Sequence, residues 1–242
     1  MQAGKATLSG MQVVITGANR GIGLGLAAAC WARGDVVHAC ARQPERADEL
    51  QALGRREGNA ARLFIHRLDV TRDDDCARLG RELQGASAPI DLLINNAGVG
   101  SGYGGLDDVN IAEALRAYDV NALGPVRVTR ALRTALRAGR GKVMNVTSTM
   151  GSIADNSSGR AYGYRMSKAA LNMATRNLAH DLAPQGITVF CVNPGWVQTD
   201  MGGSGAPTTV DESVAHLLKL ADSVGAGDGG KFFHAKGHSL PW

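Results

Sequence analysis

Short apolar runs alternate with longer segments of helical spacing from one end of this 242-residue chain to the other. Each run lacks the polar alternation of a half-exposed strand and is too short for a core helix, so it reads as a strand covered on both faces. Strands separated by helices run parallel, because each crossover returns the chain to the same edge. The runs at 12–16, 35–40, 63–68, 91–95, 142–147 and 188–192 predict six such strands, with 231–234 a candidate seventh. Helices are expected at 21–33, 44–56, 71–84, 110–120, 121–138, 163–182 and 211–223. No internal repeat or linker divides the pattern, and the length suits one domain spanning 1–242.

In an open parallel sheet, ligands bind outside the carboxyl ends of the strands. The turns at 17–23, 95–105, 148–163 and 193–205 all follow such ends and are rich in Gly, Asn and Ser. The first reads Thr16-Gly17-Ala18-Asn19-Arg20-Gly21-Ile22-Gly23, a glycine turn between a strand and a helix that aims backbone N–H groups at a pyrophosphate. The architecture expected is therefore α/β: a Rossmann-type doubly wound parallel sheet of about seven strands, flanked by helices on both faces. At the end of the second strand an acid would bind a ribose 2′-hydroxyl and a base a 2′-phosphate. The chain there reads His38-Ala39-Cys40-Ala41-Arg42. With Arg42 and Arg20 in reach of the adenosine ribose and no carboxylate at the strand end, NADP(H) is the expected cofactor, NAD(H) the alternative. Asp69-Val70 ends the third strand, where Asp69 serves either an adenine amino group or the cap of the next helix. Asn95, Ala97 and Gly98 supply amides and small residues for close backbone approach by the cofactor.

Tyr164 and Lys168 stand four residues apart on an expected helix and so share a face. An ammonium beside the phenol would bring its pKa from about 10 towards neutrality, a change of roughly 4 kcal/mol in differential stabilisation. Tyr162 is off the lysine's face, which leaves Tyr164 as the acid. Ser148, just past the fifth strand, is the neighbouring hydroxyl. It lacks the G-x-S-x-G elbow of a hydrolase nucleophile.

These segments resemble the short-chain dehydrogenase/reductase family: Thr16–Gly23 as its TGxxxGxG turn, Asn95-Asn96-Ala97-Gly98 as NNAG, Ser148, Tyr164 with Lys168 as YxxxK, and Pro194-Gly195 after strand six. The stretches around Tyr164, at 194–203 and at 232–242 are similar to the C-factor and sniffer-like branch. The resemblance implies Tyr164 as general acid/base, Lys168 as its activator and ribose ligand, Ser148 as donor to the substrate oxygen, and Asn121 as holder of a relay water. It implies Pro194, Gly195, Val197 and Thr199 around the nicotinamide. Met150, Ile153, Tyr103, Trp196 and Met201 are candidate walls for a small carbonyl or alcohol substrate, or else ordinary packing. The 202–207 segment, rich in Gly, reads as a short flexible stretch in place of a lid, and predicts an open site. The activity implied is hydride transfer between NADP(H) and an aldehyde, ketone or alcohol; a C-factor-like nucleotide-binding regulator is the rival. Pairing through the fourth and fifth crossover helices would give a homodimer or homotetramer.

Net charge of +4 arises from dispersed Lys and Arg, with no basic run suited to nucleic acid. Cys30, Cys40, Cys76 and Cys191 form no CxxC pair, and residues 1–7 lack the apolar run of a signal peptide, so a cytoplasmic protein away from membranes is expected. His234 and His238 lack Cys or carboxylate companions in step, and no metal is expected.

Overall fold

The computed structural model describes residues 10–55, 62–85, 89–137 and 140–242. Seven strands lie in one parallel sheet: β1 (Gln12–Thr16), β2 (Val36–Ala41), β3 (Leu63–Arg67), β4 (Leu92–Asn95), β5 (Lys142–Val146), β6 (Thr188–Asn193) and β7 (Phe232–His234). Their order is β3-β2-β1-β4-β5-β6-β7. The chain builds outward from β1 to β3, then returns to the other side of β1 with β4, and this reversal opens a crevice above β1 and β4.

Helices α1 (Gly21–Arg33), α2 (Asp48–Gly54) and α7 (Val210–Ser223) cover one face, packing Leu26, Leu50 and Leu217 against Val13, Ile15 and Ile94. On the other face, α3 (Asp73–Gln84), α5 (Gly124–Leu132) and α6 (Tyr162–Leu182) pack Leu79, Leu132 and Leu182 against Val14, Leu93 and Val189. The eight-residue helix α4 (Ile111–Tyr118) lies along α6. Apolar side chains thus leave both faces of the central strands, which is why those strands read as continuous apolar runs.

Local chemistry sets several boundaries. Thr209 and Glu212 form a reciprocal capping box that starts α7 one residue earlier than the pattern predicts. The expected 44–56 helix divides into a short 3₁₀ turn at Pro44–Arg46 and then α2, and its last residue lies outside the described residues. The 71–84 helix begins at Asp73, because Thr71 is held in a turn by Asp69. The two helices predicted at 110–120 and 121–138 are joined through a π-helical turn, Asp119–Leu123, and the second closes at Leu132. In that turn the Gly124 N–H reaches back to the Asp119 carbonyl. Such widened turns concentrate where a buried side chain needs room, and here Asn121 occupies it, fully buried.

Candidate active site

A cleft of about 780 Å³ lies over the carboxyl ends of β1 and β4. Its floor is the glycine turn. Gly17 has φ +66°, and a Cβ there would lie 2.9 Å from the Ala97 Cα. The β1 and β4 turns therefore approach more closely than any side chain on Gly17 would allow. A Cβ on Gly23 would overlap the Gly17 carbonyl. Asn96 ties the turns together: its N–H donates to Thr16 Oγ1 at 3.0 Å, and its Nδ2 donates to the Thr16 and Gly17 carbonyls at 3.0 and 3.2 Å. The bare backbone cradle at the start of α1 fits a dinucleotide pyrophosphate.

Of the predicted cofactor residues, Gly17, Asn19, Arg20, Gly21, Ile22, Gly23, Arg42, Asp69, Val70, Ala97, Gly98, Tyr164, Lys168, Pro194 and Thr199 line this cleft. Asn95 does not. Its side chain turns beneath the sheet, where Nδ2 donates to Asn145 Oδ1 at 2.8 Å and Thr129 Oγ1 at 3.2 Å. The pleat explains the correction, since successive residues face opposite sides and Asn95 falls on the α5–α6 side. Its neighbour Asn96 faces the cleft instead. Gly195 and Val197 do not line the cleft either; Val197 is buried and bridges to Thr208.

Arg20 and Arg42 separate. Arg20 Nη1 donates to Asp200 Oδ2 at 2.6 Å, joining the glycine turn to the segment after β6. Thr199 sits beside this bridge, its Cγ2 placed 3.2 Å from where a Gly21 Cβ would stand. In the structure Arg20 is thus paired across the cleft, and Arg42 stands with Gln43, Arg46 and Glu49 at the β2 end. Arg46 and Asp200 are not among the residues the sequence singles out, and Asn96 enters there only as a member of the Asn95–Gly98 segment. Arg46 follows Arg42 by four residues, a spacing visible in the sequence; the pairing of Arg20 with a residue 180 positions away was not. Asp69 lines the cleft, and its Oδ1 accepts from the Thr71 N–H at 3.0 Å and hydroxyl at 2.7 Å, holding the turn that precedes α3 rather than capping the helix itself.

At the other end of the cleft, Lys168 is 5% exposed. Its Nζ donates to the Val146 carbonyl at 2.9 Å and lies 5.7 Å from the centre of the Tyr164 ring. Gly98 faces this ammonium, because a Cβ there would stand 3.7 Å from Nζ and 3.4 Å from Asn121 Oδ1. Asn121 accepts from the Val99 N–H at 2.8 Å and donates to the Val99 carbonyl and Ser167 Oγ, both at 2.9 Å. Its side chain therefore clamps the β4 turn to α6. Ser148 opens a 3₁₀ turn, with its Oγ accepting from the Met150 N–H.

The expected lowering of the phenol pKa is not found in the protein alone. Burial pushes Tyr164 up to about 12, Tyr103 adds to the rise, and the hydrogen bond with Ser148 opposes it. Burial brings Lys168 down to about 8. The lysine spends its close contact on Val146 rather than on the phenol oxygen, so desolvation outweighs charge attraction at both groups.

Met201 lines the cleft. Tyr103, Ile153 and Trp196 are exposed on the loops after β4, β5 and β6, while Met150 is half-buried in the 3₁₀ turn behind Ser148. Trp196 is fixed by an Nε1 hydrogen bond to the Gly202 carbonyl at 2.7 Å. The 202–207 segment, expected to be flexible, is folded back on 196–198: Gln198 donates to the Ala206 and Thr208 carbonyls, and Thr208 to the Trp196 carbonyl. His234 and His238 stack at 4.8 Å, and no group of three His, Cys, Asp or Glu suited to a metal occurs among the described residues. The four cysteines are free and buried. Among the described residues no helix is long and apolar enough to cross a membrane.

Residues 11–209 match the family described as short chain dehydrogenase, and the chain belongs to that family of oxidoreductases. Its relatives place it beside the carbonyl reductases. The carbonyl reductase Sniffer of D. melanogaster superposes with a TM-score of 0.90 at 32% identity, covering 96% of this chain and 100% of that one. An NADPH-bound carbonyl reductase from chicken fatty liver gives 0.87 at 35% identity, over 97% and 100%. The C-signal of Myxococcus xanthus is 48% identical over 157 residues, 64% of this chain and 95% of that protein.

Proposed function

We propose that this protein is an NADP(H)-dependent carbonyl reductase, working on aldehydes or ketones and, in reverse, on alcohols. The observation that carries the reading is the convergence on one cleft of the glycine cradle, Arg42 with Arg46, and the Tyr164–Lys168 pair. Bound there, the reduced nicotinamide cofactor supplies the hydride. Tyr164 donates the proton to the carbonyl oxygen, from a phenol that burial keeps fully protonated at neutral pH. Ser148 donates to the same oxygen as alkoxide charge develops. Lys168, its Nζ 5.7 Å from the centre of the phenol ring, assists reprotonation and holds the nicotinamide ribose. Asn121 keeps the Val99 backbone and the Ser167 hydroxyl in place beside Lys168. Arg42 and Arg46 receive the 2′-phosphate; the carboxylate at that end is Glu49, on α2 rather than at the end of β2. The relatives that carry NADPH or NADP support this choice.

The fit of 1–242 to one domain, a reducing cytoplasmic setting for four free thiols, and a homodimer or homotetramer belong to the same reading. Helix α4 packs along α6, and exposed Ile111, Leu115 and Tyr118 on α4 with exposed Met166 and Met173 on α6 are apolar surface suited to a second copy. The kinship with C-signal favours a second reading, a nucleotide-binding regulator with slow turnover. One experiment separates the two: NADPH and NADH consumption over a panel of carbonyls, for wild type and Tyr164→Phe. Loss of about a thousandfold in the variant is expected; equal rates would remove the mechanism. Tight NADPH binding with no turnover on any carbonyl would favour the regulator.

A further inference from the structure

The loop between Ser148 and α6 is held in two ways. Its first part is packed on α6: the Gly151 carbonyl accepts from Asn172 Nδ2 at 3.1 Å, and a Cβ on Gly151 would lie 2.8 Å from the Lys168 backbone. Its last part is tied down by Arg165, which donates to Gly159 and Ser158. Arg160 and Ala161 sit in the left-handed region there, at φ 59° and 48°, strained for residues with a Cβ. Between these anchors, residues 153–157 carry Ile153, 79% exposed and five positions beyond Ser148. Their internal bonds are short-range, from the Asn156 N–H to Ile153 and from the Ser157 N–H to Asp155.

One bond ties this span to a remote part of the described chain: the Ala154 N–H donates to the Trp242 carbonyl at 2.8 Å. Trp242 is itself fixed. Its ring stacks on Phe232 of β7 with centroids 5.6 Å apart, and the Arg176 guanidinium of α6 lies 5.9 Å from the ring centre. Arg176 is braced in turn by the Gly230 carbonyl at 3.2 Å. The indole is an anchor set on the sheet edge and on the helix that carries Tyr164, and its carbonyl is the hook.

We propose that Trp242 is a positioning residue: it straps the 153–157 loop against the body of the protein and so sets the substrate wall next to Ser148. The inference rests on the carbonyl-reductase reading for its kinetic consequence, while the strap itself is measurable without turnover. A loop released from Ala154 samples more positions, and a large substrate that uses the wall loses more than a small one that does not.

The test compares wild type, W242A and W242F by amide exchange and by kinetics. In W242A the Ala154 amide should exchange about tenfold faster. The KM for a bulky aryl ketone such as benzophenone should rise about fivefold. The KM for propanal, the kcat for both and the Kd for NADPH should stay within about twofold. W242F retains a ring on Phe232 and should restore both readouts. If W242A does not fold, R176Q, which removes the cation from the indole face, should give an intermediate exchange rate at Ala154. Unchanged Ala154 exchange in whichever of W242A and R176Q folds overturns the strap, as does an equal loss for both substrates. If wild type reduces no carbonyl, the enzymatic reading falls, and the exchange at Ala154 still decides the strap.

Discussion

Lys168 Nζ bonds the Val146 carbonyl at 2.9 Å while standing 5.7 Å from the centre of the Tyr164 ring. The cation is therefore held beside the acid by the backbone of β5, and among the described residues no carboxylate pairs with it. Burial lowers its pKa to about 8. A folded-state pKa below the unfolded value means that folding is opposed wherever the unfolded lysine is charged: stability declines as pH falls from about 10.5 towards 8, and the full cost is present below that.

Replacing this lysine should separate function from stability. Lys168→Met removes the buried charge and keeps the length of the chain, so the unfolding free energy at pH 7 should rise by about 2 kcal/mol, while carbonyl reduction falls by about a hundredfold or more. Urea unfolding alongside NADPH oxidation measures both. A variant less stable than wild type would show that the Val146 hydrogen bond outweighs the desolvation of the ammonium.

Cofactor choice should follow Arg42. Arg42→Asp places a carboxylate where the 2′-phosphate is received and removes a charged hydrogen bond, worth a change of about 10- to 100-fold in the NADPH over NADH ratio of kcat/KM. An unchanged ratio would move the discrimination to Arg46.

His38 gives the fold a pH dependence of its own. It is 7% exposed, with Nδ1 3.0 Å from His66 Nε2 and Nε2 3.2 Å from Gln12 Oε1. Burial, with His66 beside it, brings its pKa down to about 4, and Glu82 and Arg78 are the charges facing His66. The unfolded histidine takes up a proton near pH 6.5 and the folded one does not, so stability is complete above that pH and is lost as pH falls towards 4. The loss should be about 3 kcal/mol. Unfolding curves between pH 7 and 4 should show it in wild type and show it much reduced in His38→Gln; identical slopes would assign the effect elsewhere.

Much of this was legible in the residues. Apolar runs marked the strands because both faces of the sheet are covered, and α1 was bounded correctly because the glycine turn and Gly34 close it sharply. The spacing of Tyr164 and Lys168 put them on one helix facing one cleft. What escaped depends on distance and on parity. Asn95 and Asn96 are chemically equal, and only the register pairing Asn95 with Asn145 decides which one faces the cleft. The π-helical turn leaves no compositional mark beyond Gly124-Pro125. The phenol pKa turns on which atom Lys168 bonds, a matter of a few ångströms that spacing does not encode.

Arg20 and Asp200 supply the last prediction. Their 2.6 Å pair is solvent-exposed, with 67% and 74% of each side chain accessible, so it contributes little to folding. It nonetheless spans the cleft, joining the glycine turn to the segment after β6. Asp200→Asn removes one charge and frees Arg20 to attract the cofactor's phosphates. NADPH association should then speed up by about threefold at low salt, an advantage that fades above about 0.2 M salt as screening sets in. Melting temperature should stay within about 1 °C. Stopped-flow binding across a salt series reads this directly, and slower association in Asp200→Asn would mean that the pair guides the cofactor rather than latching the cleft.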